Sequence, residues 1–450
     1  MSFCNNDTRN SWQWGPVTSS LLSVEWLKQL DQYKRVIVGF SGGLDSTVLL
    51  HSLANQPGLA QKLLAVHINH GLSPNAVNWQ RHCQLFCKNL GIALQAKEVE
   101  FARHANIEDE ARKARYQVFA SLLSDEDCLI LGHHLNDQAE TLLLQLFRGT
   151  GIDGLAAMAE SKDFGRAKIL RPFLEQRRQN LETYAREYQL QWIEDESNQN
   201  TAFNRNFLRH EVLPVLDSRW PAIVNNLTRT ASHCQQAQSN LDDLAKLDCP
   251  ELSPASRILP LVRLNRLSEA RITNVLRAWF KANNFRLPGT LTFNRLISEV
   301  IEARDDAQPK VAWQGGCVRR YQQALYLMAD EESQPLSAMT WLLFPQPVVI
   351  EGLGTLVANN VAQGLLLPEQ AQIEIRFRQG GELFYWRGQN KHLKKLMQDW
   401  SIPPWQRDRI PLLFINGQCA AVVGYAISDH FYAEEGGSLY FTFSFQLTSQ

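Results

Sequence analysis

Arg35–Thr47 reads RVIVGFSGGLDST, and the apolar pattern of a helix, Ser46–Ala54, follows directly. A short β-branched run, two adjacent glycines and then a helix make the strand–turn–helix geometry that binds phosphate. The glycines let the backbone turn tightly and approach a ligand, while amide groups and the helix N-terminus face its negative charge. Ser41 and Ser46 add hydroxyls, and Asp45 adds a carboxylate. A carboxylate beside phosphates is repelled unless a divalent cation bridges them, so Asp45 implies Mg²⁺. The spacing is not G-x-x-x-x-G-K-[ST] and no lysine follows; nor is it G-x-G-x-x-G. Ser41, Gly42, Gly43, Leu44, Asp45 and Ser46 are therefore the candidate nucleotide loop, with Asp45 as metal ligand. A turn that merely caps a helix is the competing reading.

Outward from this loop, similar apolar runs recur at Leu63–Asn69, Leu94–Phe101, Cys128–His134 and Lys168–Phe173. Helical patterns lie between them at Pro74–Leu90, Ile107–Leu123 and Asn136–Arg148, with Ser73 and Pro74 expected as N-cap and N1 and Gly91 as the C′ glycine. Near-continuous apolar strands alternating with helices predict a doubly wound parallel α/β sheet covered on both faces. From 217 to 332 the pattern is helical. Ala329–Ser337 (ADEESQPLS) reads as a linker, and the β-like runs beyond it predict a small α+β domain. The expected division is 1–216, 217–332 and 333–450.

Composition narrows the function. The 450 residues are 44% hydrophobic and 20% charged, with a net charge of −1. That is a globular balance without a global basic field, so any nucleic-acid partner must meet a local patch. No stretch approaches the ~18–20 apolar residues of a spanning helix. The first twenty residues have no apolar core of a secretory signal, and cysteines at 4, 83, 87, 128, 234, 249, 317 and 419 form no C-x-x-C. A cytoplasmic chain with neither membrane contact nor a disulfide framework is expected.

Two further motifs flank the loop. In IEDEARKARY, Ile107–Tyr116, residues Glu108, Arg112 and Arg115 share a helical face. In LGHHLNDQAETLLLQLFRG, Leu131–Gly149, a strand ends at His133–His134, where an open α/β sheet binds ligands. Asn136 is positioned to cap the next helix, and Asp137 and Glu140 then lie three residues apart on one face. Acids in a first turn also stabilise the helix dipole. Beside an anion site, however, they can receive a cationic substrate group.

SGGLDS resembles the signature of the PP-loop, or N-type, ATP pyrophosphatases, which split ATP into AMP and pyrophosphate. With VHINHGLS (Val66–Ser73), EDEARKARY, GHHLNDQAETLLLQLFRGTGIDGL (Gly132–Leu155), RPFL (Arg171–Leu174) and IEDESNQNTAFNRNFLRHEVLP (Ile193–Pro214) in that order, the chain resembles the tRNA(Ile)-lysidine synthetase family. KHLKKLMQDWSIPPWQRDRIPLLF (Lys391–Phe414) is similar to that family's C-terminal domain. The resemblance implies a ligase that joins L-lysine to C2 of the wobble cytidine of a CAU-anticodon tRNA(Ile). ATP is its substrate, with Mg²⁺, and the reaction passes through an adenylated cytidine. The resemblance places ATP on Ser41–Ser46, makes Asp45 catalytic and metal-binding, and matches Asp137 and Glu140 to the lysine site. It offers Arg112 and Arg205 as phosphate clamps and His133 for adenylate contact or proton transfer, and it implies a homodimer.

The tRNA needs a local basic surface. Between Arg376 and Arg409 there are eight Lys or Arg against three acids, with Tyr385, Trp386, Trp400 and Trp405 interleaved. Basic plus aromatic is the composition of an RNA-contacting surface, and Arg387, Lys391, Lys394, Lys395 and Arg407 are its candidates. A solvated helix face over a tryptophan-filled core is the competing reading. Two rival functions share these motifs: a PP-loop tRNA thiolase, for which Cys83 and Cys87 would matter, and a catalytically silent tRNA-binding protein.

Overall fold

A computed structural model describes residues 21–433 and 440–446, apart from 72, 100–106, 254–255, 305–306, 331–335, 362 and 369. The expectation of no secretory signal in the first twenty residues, and most of the Ala329–Ser337 linker, lie outside the described residues. Two compact units result, Met1–Leu244 and Ala245–Gln450.

The first unit contains α1 (Val24–Asp31), β1 (Arg35–Gly39), α2 (Leu44–Ala54), β2 (Leu63–Asn69), α3 (Ala76–Leu90), β3 (Ala93–Glu98), α4 (Ile107–Leu122), β4 (Asp127–Ile130) and α5 (Leu135–Phe147). After these come α6 (Ile152–Leu155), β5 (Ser161–Phe164), β6 (Ala167–Leu170), α7 (Arg178–Glu187), α8 (Asn204–Phe207), α9 (Leu213–Arg219) and α10 (Ile223–Asp248), whose last four residues belong to the second unit. The sheet order is β3-β2-β1-β4-β6-β5, parallel except for the β5–β6 hairpin at its edge.

Successive side chains of a strand point to opposite faces, and β1 shows both faces to be buried. Val36 and Val38 pack with Val48, Leu49, Cys83 and Leu181, whereas Ile37 packs with Val66, Phe119, Leu129 and Ile169. Helices α2, α3 and α7 thus cover one face and α4 the other. This is the doubly wound arrangement, and it leaves the C-terminal ends of β1 and β4 side by side, with the loop after β1 beside the turn into α5.

The expected start of α3 is corrected. Helix α3 begins at Ala76 with Asn75 as N-cap; Ser73 accepts the Ala76 N–H through its carbonyl at 3.2 Å and the Asn75 N–H through Oγ at 3.1 Å, so Ser73–Pro74 shapes the approach to the helix. Gly91, at φ +68°, closes α3 as expected.

In the second unit, Glu269–Ala282 and Thr290–Arg295 supply the helical character foreseen for the middle of the chain. They bury Val275, Leu276, Trp279, Phe280 and Phe293 against a four-stranded antiparallel sheet, 258–260, 310–313, 316–321 and 324–328, which carries no strong sequence signal. Residues 341–427 build separate cores around Ile375, Leu413 and Val423 and around Phe384, Leu396 and Met397. No described helix is long and apolar enough to cross a membrane.

Candidate active site

The loop is held by contacts within itself. Ser41 Oγ lies 3.1 Å from Ser46 Oγ and accepts the Gly43 N–H at 3.3 Å, Ser46 Oγ donates to the Gly43 carbonyl at 3.0 Å, and Thr47 Oγ1 donates to the Gly42 carbonyl at 3.2 Å. Gly42 sits at φ +84°, where a Cβ would lie 2.4 Å from Ile193 Cδ1 and 2.9 Å from Cys83 Sγ. Only glycine fits both the conformation and the space. The Ile193 N–H donates to the Gly42 carbonyl at 2.8 Å, which ties the IEDES segment to the loop from behind. Gly132 answers from the β4–α5 turn: a Cβ there would be 3.0 Å from the Asp45 carbonyl oxygen. The turn after β4 therefore passes close against the first turn of α2.

His134, not Asn136, caps α5. Its backbone N–H donates to Asp137 Oδ2 at 3.0 Å, and its Nδ1 accepts the Asp137 N–H at 3.4 Å, a reciprocal capping box. Asn136 Oδ1 instead accepts the Arg178 N–H at 3.2 Å and anchors the start of α7. Because Nδ1 accepts, the proton of a neutral His134 sits on Nε2, which lies 3.6 Å from both Asp45 Oδ1 and Asp137 Oδ2. That is too long for a hydrogen bond, and buried Asp45 Oδ1 and His134 Nε2 have no hydrogen-bond partner among the described residues. Burial pushes the Asp45 carboxyl above the usual carboxylate range, and Asp137 adds to this; His134, Arg178 and Arg209 act in the other direction. An acid held at an energetic disadvantage, with one oxygen unspoken for at a helix N-terminus, is suited to a cation shared with a ligand.

Asp137 and Glu140 share a face of α5 as expected, and both are buried. Arg205, at the start of α8, donates through Nε to Glu140 Oε2 at 2.7 Å and through Nη2 to Asp137 Oδ1 at 3.1 Å. Arg209 donates through Nε to Glu140 Oε1 at 2.7 Å and through Nη2 to Glu140 Oε2 at 2.9 Å and Asp137 Oδ1 at 3.3 Å. Burial opposes ionisation of Asp137, but His134, Arg205 and His133 together hold it well below the usual carboxylate range. The acid pair, expected as an open cation receptor, is thus engaged by two arginines.

Arg171 is buried and donates from Nε to His133 Nδ1 at 3.2 Å and from Nη1 to the Ala159 carbonyl at 2.7 Å. Burial, reinforced by Arg171, Arg205 and Arg115 over the opposing Asp137, drives His133 down to about 3. It is a neutral imidazole whose Nδ1 is occupied, so its Nε2 carries the proton and serves as a donor. Proton abstraction by His133 does not fit this state. Arg112 is exposed, its guanidinium 5.1 Å from the Tyr116 ring centroid, with Arg115 at 5.8 Å. With Arg171, which hydrogen-bonds Tyr116 and lies within the field of Arg112, these form a basic group beside His133. The Glu108 side chain lies outside the described part.

Four residues of the site have no role assigned from the sequence: His134, Arg171, Arg178 and Arg209, although His134, Arg171 and Arg209 lie within quoted motifs. Arg209 had one usable signal, since it follows Arg205 by four residues and so shares its helical face, opposite an acid pair three residues apart.

The family models match in chain order: PP-loop domain at 19–216, TilS substrate binding domain at 259–326 and TilS substrate C-terminal domain at 373–441. A tRNA(Ile)-lysidine synthase of Legionella pneumophila is 55% identical over 92% of this chain and 96% of its own length. Those of Coxiella burnetii and Photorhabdus laumondii are 39% and 40% identical, over 91% and 92% of this chain and 93% and 95% of their own. The chain belongs to the tRNA(Ile)-lysidine synthase family. It is a PP-loop ligase that uses ATP and acts on tRNA.

Membership in this family does not favour the rival functions. Cys83 and Cys87 are buried behind the loop and burial pushes both thiols up to about 12, so neither is poised as a sulfur carrier for a thiolase.

Among the expected tRNA contacts of this synthase, the structure separates surface from core. Lys394 and Lys395 are exposed on the helix Leu393–Asp399, whose Leu393, Leu396 and Met397 are buried. Arg387 is exposed beside Trp386, its guanidinium 5.9 Å from the ring, and Lys391 is half-buried. Arg407 is corrected. It is only 6% exposed, donating to the Ile402 carbonyl at 2.8 Å and the Tyr321 hydroxyl at 3.1 Å, so it packs the unit and offers RNA nothing. Trp386 and Trp400 pack on the core around Phe384, and Trp405 packs against Tyr321 and Tyr326, so the tryptophans follow the competing reading of a tryptophan-filled core, and the exposed lysines fit either a solvated helix face or an RNA surface.

Proposed function

We propose that the chain joins L-lysine to C2 of the wobble cytidine of CAU-anticodon tRNA(Ile), with ATP bound on Ser41–Ser46. The cytidine O2 attacks the α-phosphate of ATP, pyrophosphate leaves, and the lysine ε-amine then attacks C2 and expels AMP. The observation that carries this reading is Asp45 Oδ1, a buried carboxylate oxygen with no hydrogen-bond partner among the described residues, at the head of the nucleotide loop.

Asp45 would hold Mg²⁺ together with the phosphates of ATP, where the ion supplies positive charge against the charge that develops at phosphorus. Loop amides and the α2 N-terminus orient the phosphates. Arg112, with Arg115 and Arg171, forms a cationic wall for the anionic intermediate, and His133 Nε2 donates a hydrogen bond to it. Asp137 and Glu140 receive the lysine α-ammonium, which leaves the ε-amine free to be the nucleophile. Arg205 positions that acid pair. Exposed Arg387, Lys394 and Lys395, with Lys391, take tRNA phosphates.

This reading assigns adenylation to 1–216, tRNA engagement to 333–450 and a connecting role to 217–332. It places the protein in the cytoplasm, where tRNA is processed, as a homodimer. The deciding experiment is incorporation of radiolabelled lysine into a transcript of CAU-anticodon tRNA(Ile) with ATP and Mg²⁺. Label on the RNA is expected, and its loss in Asp45→Ala links it to the loop. Pyrophosphate release without label would retain adenylation and overturn lysine as the nucleophile.

A further inference from the structure

The Asp137–Glu140 pair has little room left for a ligand. Its four carboxylate oxygens accept one N–H from the His134 backbone, two from Arg205 and three from Arg209. Two carboxylates offer about eight lone-pair sites, so roughly two stay open, and an ammonium has three N–H groups to satisfy. Glu140 is 1% exposed and Asp137 7%, so water cannot make up the difference. A lysine ammonium can reach this pair only by displacing a guanidinium.

Arg209 is the one placed to move. It stands on a π-helical turn, Leu208–Val212, a widened segment in which one residue's contacts can be re-aimed without unwinding the helix. It also has a second anionic neighbour, because its charge acts on Asp45 as well as on Asp137 and Glu140. Arg205 acts instead on His133 as well as on the acid pair.

We propose that Arg209 is a guanidinium shared between the two halves of the site: it closes the Asp137–Glu140 pair until lysine binds, then turns to the phosphates of ATP above Asp45. Both states balance. Before lysine, two carboxylates face two guanidiniums. Afterwards they face Arg205 and the lysine ammonium, while Arg209 meets new negative charge on the nucleotide. Amino-acid binding thereby positions a cation for attack at the α-phosphate. The inference rests on the reading that Asp137 and Glu140 hold lysine.

Full-length Arg209→Ala and Arg209→Lys enzymes, with Glu140→Gln, test it through the lysine KM and the single-turnover release of pyrophosphate on tRNA, with and without lysine. In the wild type, lysine should speed that single turnover. Arg209→Ala should lower the lysine KM about 5-fold by removing the rival cation. It should also slow pyrophosphate release roughly 100-fold and abolish the response to lysine. Arg209→Lys keeps the charge without the fork, so its KM should fall likewise while part of the lysine response survives. If Arg209→Ala does not fold, Arg209→Lys decides alone. A merely structural arginine would leave KM unchanged or raise it, with the lysine response intact, and that outcome overturns the proposal. If Glu140→Gln leaves the lysine KM untouched, the receptor reading itself fails. If it raises KM while both Arg209 variants behave as wild type, only the shared guanidinium fails.

Discussion

In the N-terminal unit, the buried polar side chains Ser46, His134, Asp137, Glu140 and Arg171 gather around one loop and the turn beside it. In the C-terminal unit, buried Arg320 donates to the carbonyls of Ile301 at 2.9 Å and Ala303 at 2.6 Å, and buried Arg407 donates to Ile402 and Tyr321. Both units bury charge, which is costly unless partnered. The loop cluster and these two arginines differ in what the charge meets. Arg320 and Arg407 donate to neutral oxygens and so fasten chain segments. Around the loop, charges meet one another and leave Asp45 Oδ1 and His134 Nε2 over. A leftover buried oxygen marks a place built for something not part of the chain.

The sharpest way to break that contrast is to remove one charge from each side. Asp45→Asn should cut tRNA-dependent pyrophosphate release roughly 10³-fold. Because burial raises the Asp45 pKa, its ionised form costs the fold free energy at neutral pH, so the neutral amide should raise Tm by about 1–3 °C. Arg407→Ala should do the reverse. It strips the Ile402 carbonyl and Tyr321 hydroxyl of a donor and should cost about 2–3 kcal/mol of stability by thermal or denaturant unfolding. Pyrophosphate release below the transition and the salt dependence of tRNA binding should stay as in the wild type. A destabilised Asp45→Asn, or an Arg407→Ala that folds normally but binds tRNA weakly, would erase the distinction.

Acid should separate the units next. Burial drives His51 and His70 down to about 4 and His133 to about 3, against about 6.5 when unfolded. The sign follows: the unfolded chain binds more protons in this window, so the stabilising contribution is complete above about pH 6.5 and is lost as pH falls toward 4. All three histidines lie in the N-terminal unit. The C-terminal unit's two, His392 and His430, are exposed. Calorimetry at pH 7.5 and pH 5 should show the N-terminal unit's transition falling further. An equal fall in both would remove the asymmetry.

How legible each region was in the sequence follows from the same difference. The parallel sheet reads well because each central strand must be apolar on both faces: Leu63–Asn69 is β2 to the residue, and Arg35–Phe40 overshoots β1 by one. Edge strands escape. Ser161–Phe164 (SKDF) pairs on one side only and can be mostly polar, and Ile258–Pro260 is too short to show a period. In the site, residues that form a local motif were visible: the loop from its glycines, and Asp137 and Glu140 from their spacing. What the sequence cannot display is pairing across distance. Arg209 meets Glu140 from 69 positions away, and Arg171 meets His133 from 38. Arg407 misleads for the opposite reason, since a basic count over a window treats a buried guanidinium and an exposed one alike.

The smallest effect sharpens the comparison inside the C-terminal unit itself. Lys394 and Lys395 project from a helix whose other face is buried, so reversing both charges should change stability by no more than about 0.5 kcal/mol. Their effect should appear in tRNA binding, as a slope of log K against log salt that is shallower by roughly 0.7–0.9 for each lost phosphate contact. Arg376, Arg378 and Arg409 line a nearby cavity of about 570 Å³, but Arg376 pairs with Glu374, Arg378 with Asp408, and Arg409 with the Gly352 carbonyl. Those arginines have partners to leave before meeting a phosphate, whereas the two lysines stand exposed. Lys394→Glu/Lys395→Glu should therefore shift the slope more than Arg376→Glu/Arg409→Glu, measured at matched Tm. The opposite ranking would move the RNA surface from the helix to the cavity, and would show that in this unit paired arginines, like Arg209 in the other, are the groups held ready for exchange.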